Sequence, residues 1–311
     1  MRMVDIAYGI RKKSMPGNYV LSVTGGNYLI DSSGTSKVVK AHQDVFLRQH
    51  INFIVLFPIS KTIGEGKPPK VVITGCYGLV VNGYYLGAVT VAEAMAALGA
   101  HFQEKHGCAG ILIHHLYRSR VKMIQELVDA IREVPVVFYL HDYYSYCTNP
   151  KLMKNDEVFC GGNSSCFECI YGKGQAAHRN KVSELLASCA ERLVCVAPSK
   201  HTQRIWSGLH EQYAGRVIVV PHLLPGGERY HPANYLQEAK EPVRIGFLGA
   251  QTNEKGWSAW KRIVSAARDK NYRFFYFGGS DGHIISSFRN RIQGADMQQS
   301  EFSFIIQHWD S

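Results

Sequence analysis

The sequence predicts an α/β fold made of two Rossmann-like units. Short apolar runs alternate with stretches of helical periodicity, as in parallel sheets of doubly wound form. A polar segment with Pro-Gly-Gly and further prolines, Pro225–Pro242, interrupts that alternation. The alternation restarts at Val243. A length of 311 residues is enough for two cores. The expected organisation is an amino-terminal domain over 1–224, a linker over 225–242 and a second, partial Rossmann-like domain over 243–311.

The elements follow in order. Tyr19–Thr24 reads as a strand, with a glycine-bearing loop over Gly25–Ser33. Gly34-Thr35-Ser36 then opens a helix whose Val38, Val39, His42, Val45 and Phe46 recur at helical spacing. Asn52–Ile59 has the β-branched and aromatic content of a buried strand. Lys61–Lys70, with Gly-x-Gly and Pro-Pro, reads as a loop. Val71–Thr74 and Leu79–Val81 are strand-like, and Val91–His106 is an alanine-rich helix. Gly110–Leu116 and Pro135–His141 are strands separated by a helix over Ser119–Glu133. A cysteine-rich loop leads to a helix at Gln175–Glu191, a strand at Leu193–Pro198, a helix at Lys200–Tyr213 and a strand at Arg216–Pro221. Beyond the linker come strand Val243–Leu248, helix Trp257–Lys270 and strand Tyr272–Phe277.

Composition narrows the classes. Charged residues make up 19% and hydrophobic ones 46%, which argues against a disordered chain. The longest apolar runs, such as Val71–Val81, fall short of the roughly 20 residues of a membrane span. Met1–Asp5 carries no signal-peptide pattern, so a cytoplasmic location is expected. Eight cysteines are too few for a disulfide scaffold. The formal charge of +10 implies an anionic partner: nucleic acid, lipid headgroups or a phosphorylated small molecule.

Ligands of doubly wound folds bind at the carboxyl ends of the strands, so polar residues there are the first candidates. Gly34 and Thr35 stand between the first strand and its helix, where free N–H groups and the helix dipole suit phosphate. An ordinary turn capped by Ser33 or Thr35 fits equally. His141-Asp142 ends the strand at Leu140, and His141 can donate a hydrogen bond or proton to substrate. His114-His115 closes the preceding strand. Side-chain alternation lets only one of that pair face the crevice. Lys255-Gly256 opens a helix in the second unit, and a lysine there can neutralise a diphosphate. Cys147, Cys160, Cys166 and Cys169 have the spacing of a structural zinc site, or pack as small apolar thiols. Cys76, Cys108, Cys189 and Cys195 lie in apolar runs and read as core.

Four segments occur in a recognisable order: VLSVTGGNYLIDSSGTSKVV, VVFYLHDYYSYCTNPKLMKNDEVFCGG with CFEC, CVAPSKHTQRIW and RIGFLGAQTNEKGW. Together they resemble bacterial glycosyltransferases of the GT-B fold, in the large group-one family of retaining enzymes. Many of these build capsule, exopolysaccharide or O-antigen. The resemblance spans roughly residues 19–280. It implies sugar transfer from a nucleotide-sugar donor to a saccharide or polyprenyl-diphosphate-linked acceptor. By match, Gly34 lies near the donor phosphates, His141 beside the donor sugar and Lys255 on the diphosphate. Side chains and helix dipoles then stabilise the charge on the leaving phosphate, so no catalytic cofactor is implied.

Two departures stand out. Ala250 and Gln251 occupy the place where many relatives carry arginine. Glu301 is the sole glutamate after Lys255, whereas the family places a glutamate pair in a later strand–helix unit. The expectation is therefore a second domain cut short and impaired activity of this form. The alternative is a non-catalytic partner that binds a saccharide or a second subunit. Basic clusters at Arg11-Lys12-Lys13 and Arg118-x-Arg120-x-Lys122 suit peripheral contact with the inner membrane leaflet. No basic–aromatic strand pattern of a nucleic-acid binder is present, so nucleic acid is not an expected partner.

Overall fold

A computed structural model describes residues 3–31, 33–63, 70–102, 107–162, 166–221, 243–248, 251–267, 272–277 and 292–295. The chain divides into two compact units. One is Met1–Asn155 with Cys160–Gly226, the other Asp156–Phe159 with Gly227–Ser311. The linker expected at 225–242, and Ala250, lie outside the described residues.

The first unit is built on one eight-stranded sheet. Its strands are β1 (Tyr19–Val23), β2 (Asn52–Ile63), β3 (Lys70–Val81), β4 (Tyr84–Val89), β5 (Cys108–Ile113), β6 (Val136–Tyr139), β7 (Leu193–Ala197) and β8 (Val217–Val219). The order across the sheet is β8-β7-β6-β5-β1-β2-β3-β4. Pairings from β8 to β2 are parallel, while β2–β3 and β3–β4 are antiparallel. This corrects two expectations. The sheet is mixed rather than wholly parallel. Ser60–Ile63 pair with Lys70–Ile73, so the strand ladder takes up both ends of the stretch read as a loop. Strand β4 was not anticipated, since its glycine and tyrosines gave no run of alternation.

Alternation of side chains sorts β1 between two layers. Leu21 and Val23 join the larger core with Ile6 and Ile10 of helix α1 (Met3–Lys13). Helices α3 (Val91–Phe102), α4 (Val121–Ala130), α5 (Gln175–Ser188) and α6 (Lys200–Leu209) contribute to the same core. Val20 faces the opposite layer with Tyr28, Phe53 and Val55, where α2 (Gly34–Arg48) inserts Val39. At Gly78 of β3 the ring of Phe57, its cross-strand partner, lies where a Cβ would go, 2.1 Å from Cζ. Only glycine fits there.

The chain leaves β1 through α2 to β2 on one side. It later returns through α3 to β5 on the other side of β1. The order therefore reverses between β1 and β5, and a crevice opens at their carboxyl ends.

The second unit holds a parallel three-stranded sheet, β9 (Val243–Leu248), β10 (Tyr272–Phe277) and β11 (Ile292–Ala295). Helix α7 (Trp257–Ala266) packs Trp260 and Val264 against Phe247, Phe274 and Tyr276.

Candidate functional site

The crevice at the β1–β5 reversal is floored by the residues that follow β1, β5 and β6. Thr24 continues β1, with its N–H on the Leu56 carbonyl at 3.0 Å, and its hydroxyl donates to the Gly26 carbonyl at 2.9 Å. A cavity of about 400 Å³ lies here, lined by Gly25, Asp31, Thr35, His115, Tyr117 and Arg118 among others. Arg118 adopts φ 64°, left-handed backbone that costs a non-glycine residue on the order of 1–2 kcal/mol.

His115 lies against the wall formed by Gly25 and is joined on both ring nitrogens. Its Nδ1 is 2.8 Å from Asp142 Oδ2, and its Nε2 is 3.0 Å from Thr35 Oγ1. Asp142 Oδ1 accepts the Tyr144 N–H at 2.9 Å, which fixes the carboxylate. An ionised carboxylate only accepts, so in the neutral imidazole Nδ1 of His115 carries the proton and Nε2 presents its lone pair. The Thr35 hydroxyl then donates to Nε2.

His114 faces the opposite way and is 1% exposed. Its Nδ1 lies 3.0 Å from His141 Nε2, and its Nε2 lies 3.4 Å from His42 Nδ1. Tyr139 stacks on His114 with ring centres 4.4 Å apart. His141 thus stands at the end of a row of three imidazoles reaching into α2. Of the histidine pair, His115 lines the cavity and His114 builds the row.

The start of α2 is already furnished with an anion. Ser33 caps the helix by accepting the Ser36 N–H at 3.3 Å. Asp31 accepts from the Ser33 N–H at 3.0 Å, the Ser33 hydroxyl at 2.7 Å and the Ser36 hydroxyl at 2.8 Å. Partial burial opposes the charge on Asp31. The hydrogen bonds from Ser33 and Ser36, aided by nearby His115, outweigh it and hold the carboxyl below its ordinary range. Gly34 is exposed, and a Cβ there would meet nothing within 4 Å.

Lys255 lies in the second unit, exposed, in a short 3-10 turn (Asn253–Lys255) ahead of α7. Gly256 takes φ 83° with open space around it, so backbone conformation is what selects glycine there.

The four loop cysteines are all free thiols. Burial pushes Cys147 up to about 11, and the neighbouring Cys160, Cys166 and Cys169 add to the shift. The four therefore share one neighbourhood. Arg179 Nη2 donates to Cys166 Sγ at 3.7 Å. Among the described residues, no group of three or more His, Cys, Asp or Glu side chains is set to hold a metal ion. Cys189 and Cys195 are buried, and Cys76 and Cys108 half-buried. No described helix is long and apolar enough to cross a membrane.

Asp31, His42 and the pairing of His115 with Asp142 were not singled out from sequence. The Asp-x-Ser-Gly-x-Ser spacing at Asp31–Ser36 was the available signal for the first.

No protein-family model matches the chain, and no curated protein matches it in sequence. Among solved structures it is similar to the catalytic domain of starch synthase IV from Arabidopsis thaliana, bound to ADP and acarbose. Identity is 10% and the TM-score 0.47, over 93% of this chain and 76% of that one.

Proposed function

We propose that this chain is a GT-B glycosyltransferase of the group-one kind. It would move a sugar from a nucleotide-sugar donor to a saccharide or polyprenyl-diphosphate-linked acceptor in bacterial surface polysaccharide synthesis. One observation carries the reading. The strand order reverses beside β1, and there His115 and Thr35 line a cavity of about 400 Å³, with Asp142 bonded to His115 and His141 bonded to the adjacent His114.

Within this reading His141 supports the donor sugar, and Lys255 with Gly256 receives the diphosphate. Gly34 and Thr35 keep a place at the donor. The Asp31 carboxylate beside them favours sugar hydroxyls over phosphate at that spot, since like charges repel. Acceptor delivery from an anionic leaflet fits α1, which ends in Arg11, Lys12 and Lys13. Tyr8, Tyr84 and Tyr85 are exposed, and Lys13 Nζ sits 3.7 Å over the Tyr84 ring.

The test incubates the full chain with radiolabelled UDP-glucose, UDP-N-acetylglucosamine and GDP-mannose, plus a bacterial polyprenyl-diphosphate lipid extract. Label should pass to lipid or saccharide, and His141→Ala should lower transfer at least tenfold. Binding of these donors without transfer would favour the non-catalytic alternative. Absence of both calorimetric binding and transfer would overturn the proposal.

A further inference from the structure

We propose that Cys166 and Cys169 form a thiol–disulfide exchange pair, with Cys166 as the attacking thiol of a cavity that takes small disulfides carrying carboxylates. The pair acts independently of glycosyl transfer. Its cavity of about 560 Å³ is lined by Cys166, Phe167, Lys173, Gln175 and Arg179 among others, and shares no lining residue with the one at the β1–β5 crevice.

The backbone sets the pair. The Cys169 N–H donates to the Cys166 carbonyl at 3.2 Å, and the Gly172 N–H to that of Cys169 at 2.8 Å. A turn closed by the first bond brings the two Cα atoms within about 7 Å, and a disulfide spans roughly 4.4–6.8 Å. The chain folds back tightly behind this turn. A Cβ on Gly172 would fall 1.9 Å from the Cys166 carbonyl oxygen and 3.0 Å from that of Cys169, so only glycine fits. Glu168, between the cysteines, is paired with Lys154 Nζ at 3.2 Å. Both cysteines are half-buried free thiols. Cys147, also close by, is buried and its thiol is pushed up to about 11, which makes it a poor nucleophile near neutral pH.

Positive charge stands where exchange needs it. Arg179 is anchored by Nε on the Tyr146 carbonyl at 3.2 Å and lies 3.8 Å from the centre of the Tyr146 ring. From that anchor Nη2 donates to Cys166 Sγ at 3.7 Å. Thiolate both attacks and leaves in exchange, so a fixed guanidinium at sulfur favours each step. Lys173 adds a second cation on the cavity wall, and Phe167, 95% exposed, an apolar side. Two cations beside a thiol suit a disulfide that carries carboxylates.

The step balances. The Cys166 thiolate attacks one sulfur of the small disulfide, whose S–S bond breaks and releases a first thiolate. The Cys169 thiolate then attacks Cys166 Sγ of the mixed disulfide and releases the second. The protons lost by the two cysteines end on the released thiols. The cysteine pair is oxidised and the small disulfide reduced by the same pair of electrons.

The full chain, reduced and kept free of air, is mixed with oxidised glutathione, quenched with N-ethylmaleimide and mapped by mass spectrometry. A disulfide should form between Cys166 and Cys169. In Cys169→Ser, glutathione should stay on Cys166. Arg179→Gln should slow the reaction about tenfold with both oxidised glutathione and uncharged 2-hydroxyethyl disulfide, whereas Lys173→Gln should slow oxidised glutathione alone. A merely structural role would not divide the two disulfides in this way. A disulfide to Cys147 or Cys160 instead, a Cys166 that reacts no faster than Cys76 and Cys108, or zinc shielding all four loop thiols overturns the proposal.

Discussion

A methyl group placed on Gly25 would come within 3.2 Å of Cβ of His115. The backbone after β1 therefore touches the ring that bridges Thr35 and Asp142. The Gly25→Ala variant should fold, because φ at this position is not left-handed. His115 must instead shift by a few tenths of an ångström. Since misplacement of a residue lining the site is costly, transfer should fall about tenfold while the melting temperature moves little. Steady-state kinetics beside thermal unfolding checks both halves.

Arg192 ties the end of α4 to the sheet. Its Nη1 donates to the carbonyls of Ile131 and Val134, the latter at 2.9 Å, and its Nη2 to that of Val128. Those of Val128 and Ile131 are carbonyls that the end of a helix leaves without partners. Arg192→Ala should cost about 3 kcal/mol in chemical denaturation. Lysine at 192 should recover less than half, because a single ammonium cannot reproduce the planar fork.

His210 makes the first unit sensitive to acid. Trp206 Nε1 donates to Ser145 Oγ at 2.9 Å, and the Ser145 hydroxyl can donate a hydrogen bond to His210 Nε2 at 3.3 Å. Burial, with the nearby charge of Arg179, lowers His210 from 6.5 to about 4. The folded state thus binds this proton less readily than the unfolded chain. Stability from His210 is complete above pH 6.5 and declines as pH falls towards 4. The loss reaches about 3 kcal/mol, from 1.4 kcal/mol per pH unit. His178 is shifted the same way, by burial first. Urea midpoints from pH 7.5 to 4.5 should fall more steeply in the parent protein than in His210→Gln.

The loop cysteines should differ in reactivity. A thiol at about 11 is ionised in roughly one molecule per thousand at pH 8. Cys147 is also 8% exposed. Brief iodoacetamide treatment followed by mass spectrometry should label Cys147 after Cys160, Cys166 and Cys169. Protection of all four, reversed by a chelator, would instead reveal a metal held by the set.

Much of the first unit was legible because its central strands are mostly apolar runs. β1, β5, β6 and β7 each announce themselves in this way, and His141-Asp142 was visible as a polar pair closing such a run. The partnership of His115 with Asp142 was not visible. It depends on β5 and β6 pairing with Ile113 beside Phe138, a register that periodicity does not carry. His42 was hidden for a related reason. It falls on the apolar stripe of α2 and counted as one more core position, whereas it meets His114 and Tyr139. The β2–β3 extension was misread because Gly-x-Gly and Pro-Pro mark a turn without saying how far pairing continues on either side.

The carboxylate of Asp31 on the Ser33 cap has a consequence for approach. A chain of formal charge +10 draws anions from a distance, yet the Asp31 carboxylate repels them at contact on its side of the cavity. A molecule with one charged and one neutral end would be pulled in by the first and seated here by the second. Ionic strength should then slow its arrival far more than it hastens its departure.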